Sequence, residues 1–273
     1  MIIDGHAHSC GQFFDPERIV ARLTELNADK VVLCPGPKNG PKSHNYIPDL
    51  AKYFGRRDML LDANRIIGLI AKIQKHDDLL ARNEYVYSLH QKYPERIIQF
   101  FWANPNSDQI ETDLHDTFES WQFKGIKLHQ CAQNFELFSR GLDHALDFAR
   151  EKEIPVFIHL RSRKDVHRFI TVAQKYPTIN FIIAHLIGME TFLKHKRELN
   201  NLYFDVSPAP FTSPPRICEA IRNFGANKLI LGSDTPFGQD NLRKNIQKVS
   251  RLKISSREIE LILGNNLRAL LSL

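Results

Sequence analysis

The feature that most constrains this chain is a repeated alternation, in which a short apolar run is followed by a stretch of helical periodicity. The strand-like runs fall at 2–8, 30–35, 97–103, 124–129, 155–160, 180–185, 202–207 and 228–233. Helical patterns lie between them at 15–27, 108–121, 139–152, 163–176, 189–199, 214–224 and 239–250. A parallel strand covered on both faces reads as a near-continuous apolar run, and a crossover helix must carry the chain back before the next strand begins. Repetition of this unit predicts an α/β fold in which the parallel sheet closes as a (β/α)8 TIM barrel. A length of 273 residues fits one such barrel, so 1–273 is expected to be a single domain.

One interval is out of step. The stretch between the run ending at 35 and the run beginning at 97 is far longer than the others. It opens with the breaker-rich Pro35-Gly36-Pro37-Lys38-Asn39-Gly40-Pro41, a loop by its turn chemistry, and continues with helical periodicity through 44–55 and 62–92. Only the last part, near Glu84 to Tyr93, is needed as an outer helix of the barrel. The remainder, about 36–80, is a helical insertion after strand 2 that must emerge on the C-terminal rim, where the βα loops of barrels build active sites. A lid over that site and a decoration that pads the barrel or an oligomer contact are the two readings of it.

The chemistry lies at the ends of the strands. The first run closes as Asp4-Gly5-His6-Ala7-His8, and later runs end at His129 in GIKLH, His159 in PVFIHL, His185 in NFIIAHL and Asp234 in LILGSD. Alternate side chains of a strand share a face, so His6 and His8 point the same way. In a barrel the C-terminal strand ends converge on one pocket, which lets residues far apart in sequence share an ion. Imidazoles and one carboxylate suit zinc or another first-row divalent cation, with a position left for water. A bound cation lowers the pKa of that water towards 7. Asp234 could then accept its proton or orient it, and His185 could act opposite as a second ligand, an acid/base or a donor to developing charge.

Three further residues fall at the same mouth. Lys127 and His129 share a face of the fourth strand, and Lys127 could meet a substrate carboxylate or form a salt bridge. Arg161 follows His159 by two and could clamp a substrate carboxylate with its planar fork, or pair with a neighbouring loop. Asp4, one layer below His6, either orients an imidazole or makes a strand-end hydrogen bond. His44 could reach the pocket from the insertion.

Composition narrows the partners. The net charge is +6, but Lys and Arg are spread along the chain rather than bunched, so the charge does not require nucleic acid. No apolar run approaches the length of a membrane span. Met1 leads directly into the first strand without the basic segment and long apolar core of a secretion signal. The four cysteines form no CxxC pair, which fits a reducing cytoplasm. These readings together describe a cytoplasmic protein with a small-molecule substrate and neither a nucleic-acid nor a membrane partner.

Taken together, DGHAH at 4–8, GIKLH at 125–129, the histidine of FIHL, IIAHLIG around His185, LILGSDTPFG at 229–238 and ILGNNLRALL at 262–271 resemble the amidohydrolase superfamily. The likeness is to its amidohydrolase-related (amidohydrolase 2) branch and spans essentially the whole chain. It implies a distorted (β/α)8 barrel with His6, His8, His159 and Asp234 as metal ligands and His185 as the catalytic histidine. One zinc ion is favoured over two. In parts of the superfamily a lysine on the fourth strand is carboxylated and bridges two metals, which makes Lys127 the residue that decides the count. The resemblance also implies that a homodimer is open to this chain. Hydrolysis of an amide, ester or lactone by metal-bound hydroxide is the leading expectation, and nonoxidative decarboxylation is the alternative. A TatD-type DNase is disfavoured because the fourth strand offers Lys127 where that family places a glutamate. A noncatalytic metal-binding protein would normally have lost a ligand, and none is missing.

Overall fold

The structure is a computed structural model that describes residues 1–36, 49–55, 58, 60–64 and 78–273. Strand β1 (Ile3–Ser9) leads through α1 (Pro16–Glu25) to β2 (Lys30–Pro35). Within the insertion come α2 (Ala51–Phe54) and a helical stretch at 60–64, followed by α3 (Leu79–Lys92). The third expected strand is present as two pieces, β3 (Ile97–Gln99) and β4 (Phe101–Trp102), and leads into α4 (Ile110–Trp121). Then follow β5 (Ile126–His129), α5 (Gln130–Gln133), α6 (Arg140–Glu151), β6 (Val156–His159) and α7 (Arg163–Lys175). The chain continues through β7 (Phe181–Ile183), α8 (Met189–Leu193), β8 (Leu202–Asp205), α9 (Pro214–Phe224) and β9 (Leu229–Ile230). It ends with α10 (Asn241–Ser250), α11 (Ser256–Glu260) and α12 (Asn266–Leu270).

All strand pairs are parallel and follow chain order, β1-β2-β3 in one sheet and β4 to β9 in the other. The break at Phe100 marks a change of partner. Phe100 N–H donates to Leu33 O on β2 at 3.0 Å, and Phe101 N–H donates to Gly125 O beside β5 at 2.9 Å. Glycine is required at 125 because a Cβ there would meet the Phe100 ring at 2.5 Å. At the other seam the ladder is again not continuous, but main-chain bonds join the last strand to the first. Gly5 N–H donates to Leu231 O (2.8 Å), Asp234 N–H to His6 O (2.7 Å) and His8 N–H to Thr235 O (2.8 Å). The architecture is thus the expected TIM barrel.

The helices start where their side chains can satisfy exposed N–H groups. Asp15, Asp78, Ser139, Ser162, Ser213 and Ser255 each accept a hydrogen bond from a first-turn N–H of the helix that follows. Such caps contribute about 1 kcal/mol each. The helical pattern at 189–199 forms a helix only over Met189–Leu193, and the chain then tightens into turns such as His195 N–H to Phe192 O at 2.9 Å.

The inner face of the barrel explains where the polar residues go. Ile3, Val32, Ile98, Phe100, Phe157, Ile182 and Ile230 pack with Leu267 and Leu271 of the last helical segment into one buried cluster. Two residues beyond Phe157 on the same face stands His159, and Asp234, past the end of β9, is held at the same rim by its N–H on His6 O. The interior is therefore apolar at its N-terminal end and polar at its C-terminal end. Among the described residues no helix is long and apolar enough to cross a membrane.

Candidate metal centre

His6 and His8 occupy the second half of β1, and Asp234 follows β9 beside them, held by its own N–H on His6 O. One donor atom from each of these three buried residues lies within 4.8 Å of the others. Asp234 Oδ1 is 3.6 Å from His6 Nε2 and 3.4 Å from His8 Nε2, and its Oδ2 is 3.9 Å from His185 Nε2. His185 and Asp234 both adopt left-handed backbone, with φ of 60° and 54°. Non-glycine residues pay on the order of 1–3 kcal/mol for such conformations, which concentrate at functional sites.

The hydrogen bonds on the far side of each ring assign its proton. His8 Nδ1 lies 2.9 Å from Pro35 O, His185 Nδ1 lies 3.0 Å from Ser207 O, and His6 Nδ1 lies 3.2 Å from Asp205 Oδ2. A carbonyl or carboxylate oxygen only accepts, so all three rings carry their proton on Nδ1 and present the Nε2 lone pair to Asp234. The lone pairs of His8 and His185 face the Asp234 carboxylate while that of His6 is met by Lys127 Nζ at 2.9 Å, an arrangement that calls for positive charge among these donors. The donor set therefore fits a divalent metal ion, and the far-side acceptors are the outer hydrogen bonds that metal-binding imidazoles require.

Asp205, at the end of β8, was not among the expected site residues, yet it organises the floor of the site. Its Oδ2 accepts from His6 Nδ1 and from the His185 main-chain N–H at 3.3 Å, and Ser207 Oγ donates to the same oxygen. Burial alone would raise its pKa, but hydrogen bonds from His185 and His6 outweigh that and hold it far below the usual carboxylate range. The signal was present, because LYFD is another apolar run that ends on an acid at the same edge. Donors of His6, His185 and Asp205 also lie within 4.8 Å of one another, but their facing atoms are already paired, so this group reads as the supporting layer.

Asp4 does not orient an imidazole. An extra residue in β1 between Asp4 and Ala7 breaks the alternation on which a shared face with His6 depended. Asp4 Oδ1 accepts instead from the main-chain N–H of Ser233 (2.8 Å) and of His6 (3.3 Å). Burial pushes its pKa up to about 7.

Lys127 is fully buried on β5 with Nζ 2.9 Å from His6 Nε2 and 4.0 Å from the centre of the Phe157 ring. Burial lowers its pKa, and burial followed by the charge of Lys127 lowers that of His6 to about 3.

His129 ends β5 and is stacked between Trp102 (5.6 Å, 10°) and His159 (4.2 Å, 13°). Its Nδ1 accepts from Ala132 N–H at 3.2 Å. His159 lies outside the His6–His8–Asp234 group. Its ring stands edge-on to His185 with centroids 5.0 Å apart, and its Nε2 is 2.9 Å from Asn64 Oδ1. Arg161 is engaged elsewhere. Its guanidinium pairs with Asp165 at 3.1 Å and Glu136 at 3.4 Å and donates to Asn134.

The described part of the insertion lies across the loops of the C-terminal rim. Ala51 N–H donates to Pro210 O at 2.7 Å, and Ser213 Oγ donates to Gly55 O. Asp58 accepts from Gly188 N–H (2.7 Å) and pairs at 3.3 Å with the buried Arg216, which donates to Leu186 O (2.7 Å). These contacts brace the turn that carries His185. Residues 37–48, 56, 57, 59 and 65–77, and with them His44 and much of the expected lid, lie outside the described residues.

Fold and donor set define a class, the barrel enzymes that hold a divalent metal at the C-terminal ends of their strands. A family model described as amidohydrolase matches residues 74–273, and the chain belongs to that family. A comparison with curated proteins found no significant match. Among solved structures the chain is similar to 5-carboxyvanillate decarboxylase from Sphingomonas paucimobilis, with a TM-score of 0.68 and 9% identity over 100% of this chain and 99% of that one. It is similar to dihydroxybenzoic acid decarboxylase from Polaromonas, solved with bound manganese and the inhibitor 2-nitroresorcinol, at TM-score 0.68 and 13% identity over 99% and 96%. It also resembles 4-oxalomesaconate hydratase from Rhodopseudomonas palustris, at TM-score 0.63 and 15% identity over 100% and 96%.

Proposed function

We propose that this protein is a metal-dependent, nonoxidative decarboxylase of small carboxylated acids, preferentially aromatic ones. This reverses the order expected from sequence, where hydrolysis led. The observation that carries the reading is the His6–His8–Asp234 group on a barrel that follows, over nearly its whole length, the folds of two decarboxylases of carboxylated phenols. His6, His8 and Asp234 would hold one divalent ion, with His159 as a further ligand. Zinc suits the donors, and manganese, bound in the Polaromonas enzyme, suits them as well.

Bound there, the ion would supply positive charge to hold and polarise the substrate's oxygens. The net reaction replaces a carboxylate by a proton: the C–C bond breaks, the electron pair stays on the ring carbon and CO2 leaves. His185 and Asp234, with Nε2 and Oδ2 3.9 Å apart, form the pair that can hold the incoming proton and deliver it. The stacked rings of Trp102, His129 and His159 form a rigid aromatic stretch of the rim, against which an aromatic substrate could pack. Among the described residues Lys127 stands at the centre itself, whereas Arg161 would reach a substrate carboxylate only by releasing Asp165. The insertion residues resting on the rim support a roofed pocket that takes a small molecule rather than a duplex.

The test is a screen of hydroxybenzoates and other carboxylated aromatic acids with the manganese- or zinc-loaded protein, scored by CO2 release and by the product bearing hydrogen in place of the carboxylate. Amides, lactones and DNA run alongside. Hydrolysis without CO2 release would restore the hydrolase reading, and metal-dependent DNA cleavage without turnover of small acids would overturn both.

A further inference from the structure

We propose that Asn64, carried by the insertion, is the positioning residue of His159: it holds that imidazole as the Nε2–H tautomer and so makes Nδ1 the nitrogen the ring offers to the metal centre. The inference rests on the metal-centre reading above, not on which bond the enzyme breaks.

Asn64 is buried, and its amide orientation is set by the main chain. Its Nδ2 donates to Leu160 O at 2.8 Å and to Arg161 O at 3.0 Å, which uses both of its hydrogens. The reversed amide would set a carbonyl oxygen against two others and leave those acceptors unpaired. The end of Asn64 that faces His159 Nε2 at 2.9 Å is therefore Oδ1, which can only accept. The contact requires a proton on Nε2. In a neutral imidazole the lone pair then resides on Nδ1.

The ring cannot easily turn to offer its other nitrogen. His129 stacks on one face at 4.2 Å and His185 stands edge-on at 5.0 Å. Asn64 itself is anchored to the two residues that follow His159 in the chain, so the acceptor and the ring are fixed in one frame. The insertion thereby contributes directly to the centre. Another of its contacts, Asp58 on Gly188 N–H, braces the His185 turn, so His159 and His185 are each tied to the insertion.

The experiment uses the full chain labelled with 15N-histidine and no substrate, so a failed substrate screen does not bear on it. In the metal-free protein, two- and three-bond 1H–15N spectra, with H159Q assigning the signals, should show His159 protonated on Nε2 and unprotonated on Nδ1. In N64L, which keeps the side-chain volume but loses the acceptor, the Nδ1–H tautomer should become populated. The manganese dissociation constant from chelator competition should rise about 10- to 100-fold, the usual cost of losing such an outer hydrogen bond. A wild-type spectrum with His159 protonated on Nδ1 would overturn the proposal, as would N64L with unchanged tautomer and unchanged affinity. Should N64L not fold, the wild-type spectrum decides alone.

Discussion

Lys127 Nζ lies 2.9 Å from His6 Nε2, on the lone pair that this imidazole would give to a metal. With His6 Nδ1 protonated toward Asp205, Lys127 must be the donor in that contact. A metal and an ammonium cannot use the same lone pair. Metal binding therefore requires Lys127 to give up this contact, by swinging aside or by being carboxylated, and burial in this position already disfavours its charged form.

If Lys127 is an unmodified amine, metal reconstitution in bicarbonate-free buffer should give the same stoichiometry and activity as in its presence. Metal analysis on both samples checks this. Two ions per chain, with dependence on bicarbonate, would instead mean a carboxylated Lys127 bridging them.

Replacing His6 and His8 together by alanine should abolish stoichiometric metal and all turnover. The ligand distances to be found in the loaded wild type are about 2.0–2.2 Å. Retention of tightly bound metal by the double variant would place the ion elsewhere.

Asp205→Asn keeps the shape of the side chain but removes the charge that His6 and His185 both face. The dissociation constant of the ion should rise about 10- to 100-fold, with full occupancy restored at high metal concentration. Chelator competition on the two proteins measures it, and unchanged affinity would show that Ser207 suffices to orient both rings.

His185→Asn should separate chemistry from binding. For an acid/base residue, turnover should fall by a factor on the order of 10² or more while metal content stays near wild type. Parallel loss of metal and activity would make His185 a ligand.

Lys248 offers a pH test away from the centre. It is half-buried and donates to Ala209 O at 2.9 Å and to Thr212 O, and loss of solvation lowers its pKa from the ordinary 10.5 to about 8. Between those values the unfolded chain holds a proton that the folded chain does not, so stability should rise with pH across about 8 to 10.5. Below about 8 the full penalty of the desolvated charge remains. Denaturant titrations at several pH values should show this rise in wild type, on the order of 1–3 kcal/mol, and not in K248M.

Several expectations survived because they rest on short-range rules. His129 and His159 were legible because strand parity puts them on the inner face at the C-terminal ends of their strands, whereas His185 and Asp234 were legible only as the polar residues that close apolar runs, since both lie past the strand in left-handed backbone. The helices expected at 139–152, 163–176 and 214–224 formed within a residue of those bounds, and in the structure each starts at a serine that caps its first turn. Asp205 obeyed the same rule as Asp234 and could have been read from LYFD. Asn64 carried no such signal, since nothing local ties a residue of the insertion to the ring of His159.

The sequence by itself determined the order of strands and helices, the barrel they form and the edge at which histidines and carboxylates gather, because burial and strand parity are written into adjacent residues. Tertiary structure decided which of those side chains face one another. An added residue in β1 turned Asp4 away from the imidazoles. Asp165, one helical turn beyond Arg161, holds the guanidinium in an ion pair, a choice that the spacing had left open beside a substrate clamp. Asp205 and Asn64 set the tautomers of His6 and His159 across 199 and 95 residues of chain. Such pairings depend on competition among donors and acceptors that meet only in the folded barrel, and no local pattern encodes the outcome of that competition.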